Sequence, residues 1–144
     1  MERILSYLIL RAFPLSAGGQ DVDHLTSRMQ AINYLGSLMS QNIAPIPDNT
    51  FLKCLSLTLD HYSAKHNNDP NEDNHNSKIF THCFVGNLAL IFSSRPEKIK
   101  VNDEKTYFRL TSILFSKKWN SLEYTSPSTL HKLHESLNCK ELGH

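Results

Sequence analysis

Apolar residues along this chain recur at helical spacing, and the pattern reads as about six helices with no strand. The first is expected over residues 2–13, with Ile4, Leu5, Leu8 and Ala12 as its stripe and Pro14 as its stop. It begins at the initiator Met with no capping residue ahead of it, as a chain cut from something longer would. Gly18-Gly19-Gln20 form a connection, and Asp21 or Asp23 can cap a second helix that runs to about residue 42. There Val22, Leu25, Met29, Ile32, Gly36 and Met39 step by three and four residues along one face. Ala31, Leu35 and Leu38 widen it. Gly36 costs about 1 kcal/mol against alanine inside a helix, and close approach of a neighbouring helix is the usual compensation.

Pro45-Ile46-Pro47 breaks the chain, and Asp48 is expected to cap a third helix that ends near His66. Phe51, Leu55, Leu59 and Tyr62 share its face, with Leu52 beside them. Residues 67–76 are polar and acidic, without an apolar side chain to offset the entropy of ordering, so a mobile loop is expected there. Ser77 is expected to cap a fourth helix. Phe80, Phe84, Leu88 and Ile91 form its stripe, flanked by Ile79, Cys83 and Phe92, and this density predicts burial on more than one side. Arg95-Pro96 should end it. Asp103 can cap a fifth helix with Phe108, Leu110, Ile113 and Leu114 inward. Ser126-Pro127 opens a sixth, carrying Leu130, Leu133 and Leu137, and Gly143 can end it.

The second and third helices are expected to form one hairpin and the fourth and fifth another. Their starts, near Asp21 and Ser77, lie about 56 residues apart; without the acidic loop the offset is about 46, inside the range of HEAT-type pairs. The expected fold class is all-α, a HEAT-like α-α superhelix or solenoid segment. Residues 1–144 would form one helical-repeat domain or a fragment of a longer solenoid, with a continuous apolar seam through the region of Tyr34 and Phe84. An autonomous helical bundle also satisfies the length.

Composition narrows the function classes. Lys and Arg number 15 and Asp and Glu 14, so there is no basic excess to neutralise phosphates, and no direct nucleic-acid contact is expected. Cys54, Cys83 and Cys139 form no CxxC pair, which leaves no zinc knuckle or redox motif. Cys54 and Cys83 lie in apolar runs as small core residues, in keeping with a reducing compartment. Arg11 truncates the first apolar run, against a signal peptide. No apolar run approaches the length of a membrane-spanning helix.

No catalytic residue, cofactor-binding residue or metal ligand is assigned. His131 and His134 sit at i, i+3 near Glu135 and Cys139, but a zinc site needs three or four ligands, and a solvated helix face is the reading adopted. His61 and His66 diverge, and His82 and Cys83 point apart. Asp60-His61 with a serine imitates a triad in composition only, since no Gly-x-Ser-x-Gly elbow exists and Gly36-Ser37 lies mid-helix. The acidic loop around Glu72-Asp73 lacks the order of a calcium loop. Lys98, Lys100, Lys105 and Arg109 form a small basic cluster, read as solvated surface. Trp119 either packs against the next turn or anchors an interface.

The segment Arg28 to Pro45, with Gln30-Ala-Ile-Asn-Tyr-Leu-Gly-Ser-Leu38 as its core, resembles a helix of the RNA polymerase I-specific transcription initiation factor family (TIF-IA type). Glu2-Arg-Ile-Leu-Ser-Tyr-Leu8 is similar to the preceding helix of that family. Phe51-Leu-Lys-Cys-Leu55, Phe80 to Arg95 and Ser126 to Leu133 follow its helix order by pattern. Where the family carries a basic residue after this core, the chain has Met39-Ser40-Gln41-Asn42. The resemblance is to the middle of a much longer protein. It implies a HEAT-repeat solenoid that binds RNA polymerase I and bridges it to promoter-bound initiation factors for rRNA gene transcription. It further implies a protein of the nucleus and nucleolus that is no enzyme and uses no cofactor. A generic α-solenoid adaptor is the alternative.

Overall fold

The structure is a computed structural model that describes residues 1–14, 22–41, 45–68 and 75–115. Six α-helices and no strand are present among them: α1 Glu2–Ala12, α2 Val22–Ser40, α3 Asp48–Asn68, α4 His75–Ser94, α5 Pro96–Asn102 and α6 Glu104–Leu114. The all-α class is therefore observed. The loop expected over 67–76 is shorter at both ends, since Asn67 and Asn68 continue α3 and His75 and Asn76 begin α4; its residues 69–74, the glycine connection, the cap at Asp21, Trp119 and the helix expected from Ser126 lie outside the described residues.

α4 is the centre of the molecule. Phe80, Phe84, Val85, Leu88, Ala89, Ile91 and Phe92 are all buried, which matches a helix apolar around most of its circumference. α2 lies along it in the most extensive helix–helix contact of the fold. α1 packs on α2 and α3, and α6 packs on α3, α4 and α5. The expected α2–α3 hairpin is thus not where α2 finds its main neighbours, which are α4 and α1. α3 still meets α2 through the Cys54 thiol, 3.5 Å from Met39 Sδ. All six helices contribute to one apolar core.

Gly36 explains the closeness of α2 and α4. A Cβ at this position would stand 2.1 Å from Asn87 Oδ1 and 3.1 Å from Asn87 Cβ. The cost of glycine in the helix interior is thus matched by an approach that no other residue permits.

An aromatic cluster closes the α1 end. The Phe13 ring lies 5.5 Å from Phe80 and 5.4 Å from Phe84, edge-on to both, and Tyr62 of α3 stacks on Phe84 at 4.5 Å. These are favourable ring geometries. Arg28 of α2 is buried beneath them. Its Nε donates to the Ala12 carbonyl at 2.7 Å, and its guanidinium sits 3.7 Å above the Phe80 ring. A buried cation needs such partners, and here a helix C-terminal carbonyl and a π face supply them.

Several local expectations are corrected. On α1 the inward residues are Leu5, Leu8, Ile9 and Ala12, while Ile4 is exposed. Tyr34 is 56% exposed, so the apolar seam opposite Phe84 runs through Ile32, Leu35 and Met39 instead. Tertiary packing rotates each helix so that its widest apolar arc is buried, and residues at the arc's edge turn outward. Asp48 stands inside the first turn of α3 rather than ahead of it; the Pro47 carbonyl accepts the Phe51 N–H. The Asp48 carboxylate instead takes Arg95 Nη1 at 3.0 Å and Lys98 Nζ at 3.4 Å. Ser77 likewise lies within the first turn of α4. Arg95-Pro96 does end α4, but Pro96 then serves as the first residue of α5, where its missing N–H costs nothing. Asp103 caps the helix predicted for it, here α6, accepting from the Thr106 N–H at 3.0 Å and the Thr106 hydroxyl at 2.7 Å. Within α6, Thr106, Leu110 and Leu114 face inward and Phe108 faces out.

Alanine at position 36 gains roughly 1 kcal/mol in helix propensity and meets an overpacking cost of about 1–3 kcal/mol. Gly36→Ala is therefore expected to lower the urea midpoint. Combined with Asn87→Ala it should cost less than the two changes summed, because the clashing amide is gone. Denaturation followed by circular dichroism measures both, and strict additivity would reject the close approach.

Candidate functional site

Three places in the described structure carry chemistry or exposed apolar surface. The first is polar and lies where α2 crosses α4. Asn33 Oδ1 accepts the Asn87 amide at 2.8 Å and the Cys83 thiol at 3.3 Å. The same Asn87 Nδ2 donates to the Cys83 carbonyl at 2.9 Å, one turn back on α4. Asn87 is buried, so these bonds satisfy an amide that would otherwise be costly to desolvate. Tyr34 stands exposed next to Asn33 on the rim.

The Cys83 thiol could be taken for a nucleophile with an amide beside it. Its environment argues otherwise. Burial pushes its pKa up to about 11, with the Asn87 hydrogen bond pulling weakly the other way. Burial also raises Cys54 to about 11, against the Thr58 hydroxyl. Reactive cysteines have depressed values and electropositive neighbours, and both thiols here stay protonated at neutral pH.

The second place is the junction of α3, α4 and α5. Arg95 Nη1 donates to the Ile46 carbonyl at 2.7 Å and to Asp48, and the guanidinium lies 4.5 Å from the Phe51 ring centroid. The predicted basic cluster is thereby divided. Lys98 pairs with Asp48, and Arg109 pairs with Asp60 at 2.7 Å across α6 and α3. Asp60 is thus an ion-pair partner, and His61 beside it stacks on Phe13 with centroids 6.4 Å apart. The structure does not bring Asp60, His61 and a serine together as a triad. This junction is a structural clasp between three helices.

The third is apolar surface. On α1, Ile4, Tyr7 and Leu10 are exposed; on α5 and α6, Val101 and Phe108 are 77% and 65% exposed, with Phe115 beyond the helix end. Sequence periodicity placed Ile4 and Phe108 inward and assigned Tyr7, Leu10, Val101 and Phe115 to no face, so the outward role of these residues was missed. The signal available was α1 itself, whose apolar residues fall on opposite faces.

Among the described residues, no group of three or more His, Cys, Asp or Glu side chains is placed to hold a metal ion. No described helix is long and apolar enough to cross a membrane. His131, His134 and Cys139 lie outside the described residues. Compared with known proteins, the chain matches no family model, no curated protein and no solved structure. The helix that carries the polymerase-factor resemblance is divided in use: Ala31, Ile32, Leu35 and Gly36 are packing residues, while Gln30 and Tyr34 face outward.

In a Cys139→Ser background, iodoacetamide is expected to label the native protein slowly at pH 8, with the rate climbing as pH approaches about 11. The folded protein retains thiol protons that the unfolded chain has released at that pH. The stability these thiols contribute is therefore full below the unfolded thiol pKa of 9.0 and falls as pH rises from there toward about 11. Rapid labelling of the folded protein at pH 7 would reject a buried Cys54 and a half-buried Cys83 that both stay protonated.

Proposed function

We propose that this chain acts by protein–protein contact, as a segment of a HEAT-like helical-repeat scaffold of the RNA polymerase I initiation-factor type. The observation that carries the interaction reading is the outward apolar surface on α1 and α6. These helices share only α3 as a neighbour, yet each presents large side chains to solvent. An exposed apolar face rimmed by polar residues is the mark of an interaction site.

The polymerase as partner rests on the resemblance of Gln30 to Leu38. Near-neutral charge supports a bridge between proteins over a reader of DNA, since phosphate binding requires a basic excess. The raised pKa values of Cys54 and Cys83 argue against either thiol as a nucleophile. The role that follows is to join polymerase I to promoter-bound factors in the nucleolus. A generic helical adaptor is the second reading, favoured by the same surfaces without the resemblance.

A tagged full chain is expected to co-purify with polymerase I subunits and to concentrate in nucleoli. Its absence from both, with the protein folded and expressed, removes the polymerase and leaves the adaptor reading.

A further inference from the structure

We propose that the outer face of α1 is a docking site for an acidic amphipathic helix of a partner protein. This rests on the reading of the chain as a protein-interaction segment, but not on the identity of the polymerase. At 100° per residue, Ile4, Tyr7 and Leu10 occupy about 120° of arc on the side of α1 away from the core. All three are exposed, Tyr7 at 60%. Arg3 and Arg11 fall inside the same arc, one near each end of the stripe, and both are exposed. Glu2, the one carboxylate of α1, falls outside it.

The two arginines differ from others in the fold. Arg28 is buried on Phe80, Arg95 is held by Asp48 and the Ile46 carbonyl, and Arg109 is paired with Asp60. Arg3 and Arg11 make no ion pair among the described residues. The face thus combines an aliphatic and aromatic stripe with two unneutralised guanidinium groups. A helix laid into it would place leucine-type anchors on Ile4, Tyr7 and Leu10 and carboxylates against the arginines at both ends. A second copy of α1 would instead bring arginine against arginine when aligned antiparallel about Tyr7, which charge complementarity disfavours.

The test is fluorescence anisotropy with the full chain and a fluorescein-labelled synthetic helix bearing a leucine stripe flanked by glutamates. The control is the same helix with lysines in place of the glutamates. The acidic helix is expected to bind at least about tenfold more tightly than its lysine twin. Tyr7→Ser should weaken it by about tenfold, as loss of an aromatic anchor does. Arg3→Glu with Arg11→Glu should reverse the preference between the two probes. All three positions are exposed, so the melting temperature should hold; Leu10→Gln serves if Tyr7→Ser lowers it. Equal binding of both probes, or binding indifferent to these substitutions, overturns the proposal. So does self-association abolished by Ile4→Ser without probe capture, or capture of anionic vesicles through these residues without probe capture. Loss of polymerase co-purification with probe binding intact removes the polymerase and leaves this face standing; the reverse removes this face alone.

Discussion

The amide of Asn87 occupies the space that a side chain at position 36 would need, and the register of α2 on α4 follows from that exclusion. Only glycine lets the helices come this close, and only a hydrogen-bonded amide is tolerated in the space that results. Asn33 supplies the acceptor from α2 and the Cys83 carbonyl supplies it from α4. Sliding α4 by one turn would strand the Asn87 amide in a buried setting and drive another side chain into the α2 backbone. Apolar contact alone does not discriminate so sharply between registers, because leucine and phenylalanine repack. A single buried amide does, in the way a buried asparagine fixes the register of a coiled coil.

The aromatic cluster depends on this register. Phe80 and Phe84 are one helical turn apart, and both meet the ring of Phe13 at the end of α1. Arg28 ties the arrangement from below. It reaches from α2 to the Ala12 carbonyl at the end of α1 while its guanidinium covers Phe80. Three helices, α1, α2 and α4, are therefore indexed against one another by two polar residues, Asn87 through Asn33 and Arg28 through the Ala12 carbonyl and the Phe80 ring. The far end uses a third, Arg95, which joins the end of α4 to the start of α3.

How much of this was legible in the sequence varies by element. The stripe of α4, the burial of Ile32, Leu35 and Met39, the helical neighbour at Gly36 and the cap at Asp103 were all readable, because each rests on a local rule. α5 was not. Arg95-Pro96 reads as a stop, yet proline is also a good first residue, and only Ile99 entering the core decides for a helix. Phe108 was assigned inward because apolar periodicity cannot choose between two adjacent arcs of α6; Thr106 and Leu110 won through the Asp103 cap and contact with α4. Arg28 was invisible as a core residue, since nothing local marks a cation for burial. The polar crossing joins Asn33 to Cys83 and Asn87, fifty and fifty-four positions away, beyond the reach of any motif.

Net charge conceals the distribution that matters for binding. The chain is balanced overall, at +1. Inside the fold, arginines are consumed by a carbonyl, by aromatic faces and by Asp48 and Asp60, with exposed pairs of this kind worth little to stability. Their effect on the surface potential is larger than their effect on stability: each pair cancels a charge that a partner would otherwise meet. What survives the cancellation is local. The outer arc of α1 keeps both of its guanidinium groups beside its apolar stripe, while the outer arc of α6 places Phe108 among Glu104, Lys105, Thr111 and Ser112, one charge of each sign. The two apolar faces therefore differ in electrostatic character. A chain with no overall charge preference can still discriminate between partners, one face selecting by carboxylates and the other by shape alone.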